Sequence, residues 1–184
     1  EGPLLVASKH QSAWETFALM PFFDEPLFIL KRELTRIPFF GWYLVKAQMI
    51  GLDRESGGRA LLQMMKRARD QVQRGRQLII FPEGTRRPVG APPDYKVGVS
   101  QIYVGCGVTC LPVALNSGLF WPRRTFLRYP GTLVVEFLKP IPAGLSRDEF
   151  TAQVSSAIEE ASNRLIREGR AEQERLMGFS APQA

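Results

Sequence analysis

Apolar positions follow two rhythms along this chain. Short, nearly continuous runs bounded by Gly, Pro or charged residues alternate with longer stretches whose apolar residues return every three or four positions. Leu4 to Ala7, Leu27 to Leu30, Lys46 to Leu52, Leu78 to Phe81, Thr109 to Leu115 and Thr132 to Leu138 are of the first kind and predict strands. Ser12 to about Met20 predicts a helix with Ser12 as its N-cap and Pro21 at its end. Gly58 to Arg74 is the clearest amphipathic helix: Leu61, Met65, Ala68 and Val72 share a face that Lys66, Arg67, Arg69 and Arg74 mostly avoid, and Gly75 closes it. Lys96 to Val104 fits a strand or two helical turns equally well. Ser146 and Glu149 form a capping box for a last helix whose apolar face is Phe150, Val154, Ile158, Ala161 and Leu165.

Strands alternating with helices predict a single α/β domain, with a largely parallel or mixed central sheet flanked by helices. Ligands of such sheets gather where loops leave the carboxyl ends of the strands. The 184 residues suit one domain, which we expect over 1–170, with a polar tail over 171–184 that frays. At 45% hydrophobic and 23% charged residues, a disordered or fibrous chain is excluded. The longest nearly apolar run, Phe17 to Phe23, is far short of the roughly 20 residues needed to cross a bilayer. A first residue of Glu1, followed closely by an apolar run, reads as a trimmed domain whose upstream segments lie outside it.

Charge narrows the partners. Residues 1–139 hold 19 Lys+Arg against 11 Asp+Glu, whereas 140–184 hold 5 against 7. A basic body with an acidic end suggests an anionic partner: nucleic acid, anionic lipid or a phosphorylated small substrate. Two cysteines, Cys106 and Cys110, make no disulfide framework and read as small buried hydrophobes. With His10 as the only histidine, a structural zinc site lacks its ligand set, and no metal is expected.

Four stretches carry candidate chemistry. In Lys9-His10-Gln11-Ser12-Ala13-Trp14-Glu15, a strand-to-helix loop would hold His10, with Glu15 in the first helical turn pointing back toward it. The carboxylate would accept the Nδ1–H and leave Nε2 free to take a proton. The same Ser12-x-x-Glu15 spacing is equally a capping box that does no chemistry. Phe81-Pro82-Glu83-Gly84-Thr85-Arg86-Arg87 follows a strand directly. Gly84 permits a positive-φ turn, successive N–H groups there can cradle an anion, and Arg86 offers a fork for phosphate oxygens. Gly51-Leu52-Asp53-Arg54 could supply a second fork. Pro112, inside Leu111 to Leu115, suggests an edge or a bulge and a pocket wall. Arg123, Arg124 and Arg128 interleave with Phe120, Trp121, Phe126 and Tyr129, as at a lipid headgroup surface, a pattern that suits nucleic acid too.

In order and spacing these stretches resemble the four blocks of the glycerolipid acyltransferases, specifically the bacterial 1-acylglycerol-3-phosphate acyltransferases. The blocks correspond to His10 with Glu15, Gly51 to Arg54, Phe81 to Arg86, and Leu111 to Val113. Two departures stand out. Lys9 replaces the family's usual Asn before the histidine, and Glu15 replaces its Asp.

The resemblance implies direct acyl transfer on a glycerolipid acyltransferase-like fold. His10 and Glu15 would be catalytic, and Arg54, Glu83, Gly84, Thr85 and Arg86 would recognise the acceptor's phosphate, with Glu83, itself no natural phosphate ligand, expected to orient an arginine or accept a substrate hydroxyl. Backbone N–H groups near Gly84 are a candidate oxyanion hole. No cofactor is expected beyond acyl-CoA or acyl carrier protein (acyl-ACP) as acyl-donating co-substrate. Expected partners are a lysolipid substrate, an anionic membrane surface and acyl carrier protein, but no nucleic acid. The expected location is the cytoplasmic face of a bacterial inner membrane, with peripheral attachment or an anchor outside this chain. Two alternatives stay open: an acyltransferase for another lysolipid such as lyso-ornithine lipid, and a non-catalytic basic membrane-binding module.

Overall fold

A computed structural model describes residues 2–52 and 57–178. In it, β1 (Leu4–Ser8), β2 (Pro26–Lys31), β3 (Ile50–Leu52), β4 (Gln77–Ile80), β5 (Cys110–Leu115) and β6 (Val135–Phe137) form one mixed sheet in the order β3-β2-β4-β1-β5-β6. All neighbours pair in parallel except β5 and β6. The helices are α1 (Trp14–Ala18), α2 (Phe40–Lys46), α3 (Gly57–Gln73), α4 (Val97–Cys106), α5 (Ser117–Phe120) and α6 (Arg147–Met177).

Alternation along the strands divides the core. Leu5 and Ala7 of β1, with Leu78 and Ile80 of β4, face a large cluster that includes Ala68 and Val72 of α3, Ile102 of α4 and Phe150, Val154 and Ile158 of α6. Val6 and Ile79 point the other way, onto Leu19 and Phe28. This is the period-two rule of a sheet buried on both faces. The rings of Tyr103 and Phe150 stack at 3.8 Å and lock α4 to α6.

Several elements differ from expectation. Lys46 to Leu52 is not one strand: α2 runs through Lys46, Gln48 takes a positive φ of 56°, and the strand begins at Ile50. The buried face of α3 uses Met64 with Ala68 and Val72, while Met65 is only half-buried. The ambiguous 96–104 stretch is helical from Val97, ending on Gly107 in the left-handed conformation. The first helix starts at Trp14, with Ser12 Oγ accepting the Trp14 N–H at 3.2 Å, and passes into a 3-10 turn, Met20–Phe22, that accommodates Pro21. The Ser146–Glu149 capping box is present in both directions. Instead of fraying after Arg170, α6 continues to Met177, because Gln173 is fully buried and donates to the Leu119 carbonyl.

Pro112 lies in β5 between β1 and β6, so it is not on an edge. The bulge reading holds. Val113 pairs with Phe137, but Cys110 bridges to Ile141, so the strand opposite Pro112 carries one extra residue. The ladder therefore demands no N–H from the proline. Its ring is buried in the sheet and does not reach the cavity described below, so the expected pocket-wall role is withdrawn.

Candidate active site

Because β1 pairs with β4, with Ala7 opposite Ile80, the loops leaving their carboxyl ends are neighbours. One carries His10, the other Phe81 to Arg87. Two contacts fix them, one between backbones and one between rings: Arg87 N–H donates to the His10 carbonyl at 2.8 Å, and the imidazole stacks on the Phe81 ring at 3.9 Å. Phe81 in turn packs on Phe28.

His10 Nδ1 lies 3.0 Å from Glu15 Oε1. A carboxylate oxygen only accepts, so Nδ1 carries the proton and Nε2 the lone pair. Half of the expected capping box forms as well, although Ala13 rather than Ser12 is the N-cap and the Ser12 hydroxyl accepts from Trp14 rather than Glu15. Glu15 Oε1 accepts the N–H groups of Gln11 and Ser12, both at 2.7 Å, while Oε2 accepts the Ser117 hydroxyl at 2.8 Å. Glu15 is fully buried, and these four donors keep its charge there. The dyad and the capping interaction are one structure, not rivals.

The ring lines a cavity of about 650 Å³ with apolar walls from Phe28, Leu34, Met64, Ile80, Val99 and Ile102. Gly84, Thr85 and Lys96 line it too. Gly84 has the positive φ the turn requires, 65°, but its N–H donates to the Phe81 carbonyl at 2.9 Å. That amide closes the turn and cannot serve as an oxyanion donor. Thr85 and Arg86 are exposed beside the cavity mouth or next to it in the chain, whereas Arg54 lies outside the described residues.

Glu83, expected to orient an arginine or accept a substrate hydroxyl, pairs with a lysine. It is 1% exposed, and its Oε1 accepts from Lys9 Nζ at 2.9 Å while Oε2 faces the His10 N–H at 3.4 Å. Burial pushes its carboxyl above the usual range, against the lowering pull of Lys9. Its contacts hold the loop, and it also lines the cavity. Lys9 also bonds Glu159 of α6 at 2.7 Å, and Glu159 accepts the Tyr95 hydroxyl at 3.0 Å. Lys9 thus pins the His10 loop both to the Phe81–Arg86 stretch, through Glu83, and to the last helix, through Glu159.

Sequence reasoning missed Ser117, Glu159 and the stacking role of Phe81. It also assigned Arg123 and Arg124 to a lipid- or nucleic-acid-facing surface, not to the surroundings of this loop. Arg123 donates to the Arg86 carbonyl, and desolvation together with the nearby Arg124, Arg86 and Arg87 charges holds its guanidinium below the usual range. The concentration of guanidiniums by the His10 loop has the character of an anion site. Among the described residues no group of three or more His, Cys, Asp or Glu could hold a metal ion.

The family model described as "Acyltransferase" matches residues 1–116. A 1-acyl-sn-glycerol-3-phosphate acyltransferase of Pseudomonas aeruginosa is 43% identical over 73% of this chain and 52% of its own length. A lyso-ornithine lipid O-acyltransferase of the same organism is 28% identical over 85% of this chain and 66% of that one. The crystal structure of the 1-acyl-sn-glycerophosphate acyltransferase PlsC from Thermotoga maritima matches with a TM-score of 0.76 at 27% identity, over 90% of this chain and 67% of that one. The chain thus spans between half and two-thirds of the length of these relatives.

Proposed function

We propose a reaction for this chain, which belongs to the acyltransferase family: transfer of a fatty acyl group from an acyl thioester to the free hydroxyl of 1-acylglycerol-3-phosphate, giving phosphatidic acid. The observation that carries it is the His10–Glu15 pair at 3.0 Å, opening on an apolar cavity beside an arginine cluster.

Each part answers one need of the reaction. Nε2 of His10 takes the hydroxyl proton as that oxygen attacks the thioester carbonyl, and Glu15 stabilises the imidazolium as it forms. The new C–O bond replaces the C–S bond, and the thiolate leaves, taking the proton from the imidazolium. General base action of this kind supplies about 10²–10⁴-fold, and fixing the hydroxyl against the ring supplies much of the rest. The apolar cavity suits an acyl chain, and the Arg86, Arg87, Arg123 and Arg124 group suits the phosphate. The donor is coenzyme A or acyl carrier protein, either of which releases a thiol. The basic body over 1–139 favours work at an anionic cytoplasmic leaflet. Among the described residues no helix is long and apolar enough to cross a membrane.

The test is thiol release with acyl-CoA and acyl-ACP as donors and lysophosphatidate or lyso-ornithine lipid as acceptor. Release with lysophosphatidate, lost in His10→Ala, is the expected result. Release only with the phosphate-free acceptor would move the assignment to that lysolipid, and no release with either would return the chain to a binding role.

A further inference from the structure

The segment between β2 and β3 exposes a run of large apolar side chains. Phe39, Trp42 and Tyr43 are 69%, 66% and 71% exposed, and Ile37, Phe40 and Val45 are exposed beside them. Lys31, Arg32, Arg36 and Lys46 flank the run, and Glu33 is the only acid in residues 31–46. All four cations are at the surface.

This surface is built rather than loose. Phe39 adopts a φ of 62°, which bulky L residues rarely take. The turn that imposes it is tightly closed: Gly41 N–H donates to the Ile37 carbonyl at 2.7 Å, and a Cβ at Gly41 would stand 2.2 Å from the Thr35 carbonyl oxygen. Phe39 and Trp42 meet edge to face at 5.1 Å. A strained, closely packed turn that turns its rings toward water points to a role outside the core. Its position suggests which. Lys31 and Leu34, at the foot of the same segment, line the cavity that holds His10.

We infer that residues 37–45 dock the protein on an anionic lipid bilayer, with the cavity mouth held at the headgroup boundary. Trp, Tyr and Phe with a cationic rim are the side chains that boundary takes, the rings at the headgroup level and the cations against lipid phosphates. The inference deepens the lipid-acyltransferase reading and rests on it for the benefit of docking. Seated this way, a lysolipid acceptor passes from the bilayer to the imidazole without crossing water.

The test is flotation of the 184-residue chain with phosphatidylglycerol–phosphatidylcholine vesicles or pure phosphatidylcholine vesicles, at low and high salt. The wild type should float with the anionic vesicles and less so at high salt. Trp42→Glu/Tyr43→Glu should lower that partitioning about tenfold or more, with an unchanged circular dichroism spectrum. Its thiol release with a short-chain, monomeric lysophosphatidate should stay at the wild-type rate. A wild type that does not float, or a double variant that floats equally well, overturns the proposal. So does a wild-type dimer in sedimentation that the double variant dissociates while vesicle binding is unchanged, since the patch would then be an interface between copies. Charge-dependent flotation without thiol release from the wild type would refute the enzyme reading and leave the docking surface standing.

Discussion

One oxygen of Glu15 closes the turn through the Gln11 and Ser12 amides and orients His10 through Nδ1, so removing the side chain would confuse folding with chemistry. Glu15→Gln separates them. The amide oxygen still accepts from the backbone, and its NH₂ can donate to Ser117 Oγ, so the melting temperature should stay close to wild type. Without the charge that stabilises the imidazolium, kcat should fall by about 10²-fold or more; an unchanged kcat would make the carboxylate purely structural. Lys9 and Glu83 make a different kind of pair. Glu83 has a raised carboxyl pKa, so the folded state binds its proton more readily than the unfolded one. Its stabilising contribution is complete below the unfolded value and is lost as pH rises through the folded one. Chemical denaturation of Glu83→Gln and wild type should therefore show the difference shifting in favour of the variant between pH 4 and pH 8. Lys9→Met leaves a buried carboxylate without its cation and should destabilise by about 3–5 kcal/mol. His10 and Glu15 were readable because their spacing is local. The Lys9–Glu159 contact joins residues 150 apart, and no periodicity in one sequence exposes such a pair.

Elements were legible where one rule dominated. In α6 the capping box and the three-to-four spacing agree, and all five expected apolar residues are buried or nearly so. The cap is a single exposed hydroxyl whose loss creates no cavity, so Ser146→Ala should cost about 1 kcal/mol in equilibrium unfolding. A larger loss would mean that the start of α6 also holds α4 in place through Phe150. Legibility failed between residues 31 and 49. There the apolar residues face solvent, and the signal that marks a helix by its buried stripe marks nothing. Lys46 to Leu52 reads as a strand by composition, but the break at Gln48 is set by a backbone turn that leaves no trace in hydropathy. Arg54 follows β3 in a part of the chain outside the described residues, so its expected phosphate contact is carried by the resemblance alone.

At the scale of the whole molecule, the parallel pairing of β1 with β4 brings the two most informative motifs together, and α6 ties the result to the far end of the chain through Glu159 and Gln173. The two thiols report on how firmly this assembly is closed. Burial pushes Cys110, at the start of β5, up to about 12 and Cys106, on α4, up to about 11. At pH 8 about 10⁻⁴ of folded Cys110 is therefore thiolate, and none of that residue is exposed. Cys110 should be labelled only through opening of the central sheet, while Cys106, at the rim of the core, follows the lesser event of α4 lifting. A ligand that binds only the folded state multiplies the closed population, so monomeric lysophosphatidate at a hundred times its Kd should slow Cys110 labelling about 100-fold. Cys106 should slow by the same factor only if α4, which contributes Val99 and Ile102 to the cavity, must be seated for the acceptor to bind. Protection of Cys110 without Cys106 would place the acceptor against the sheet loops alone, and protection of neither would remove lysophosphatidate as the ligand of this cavity.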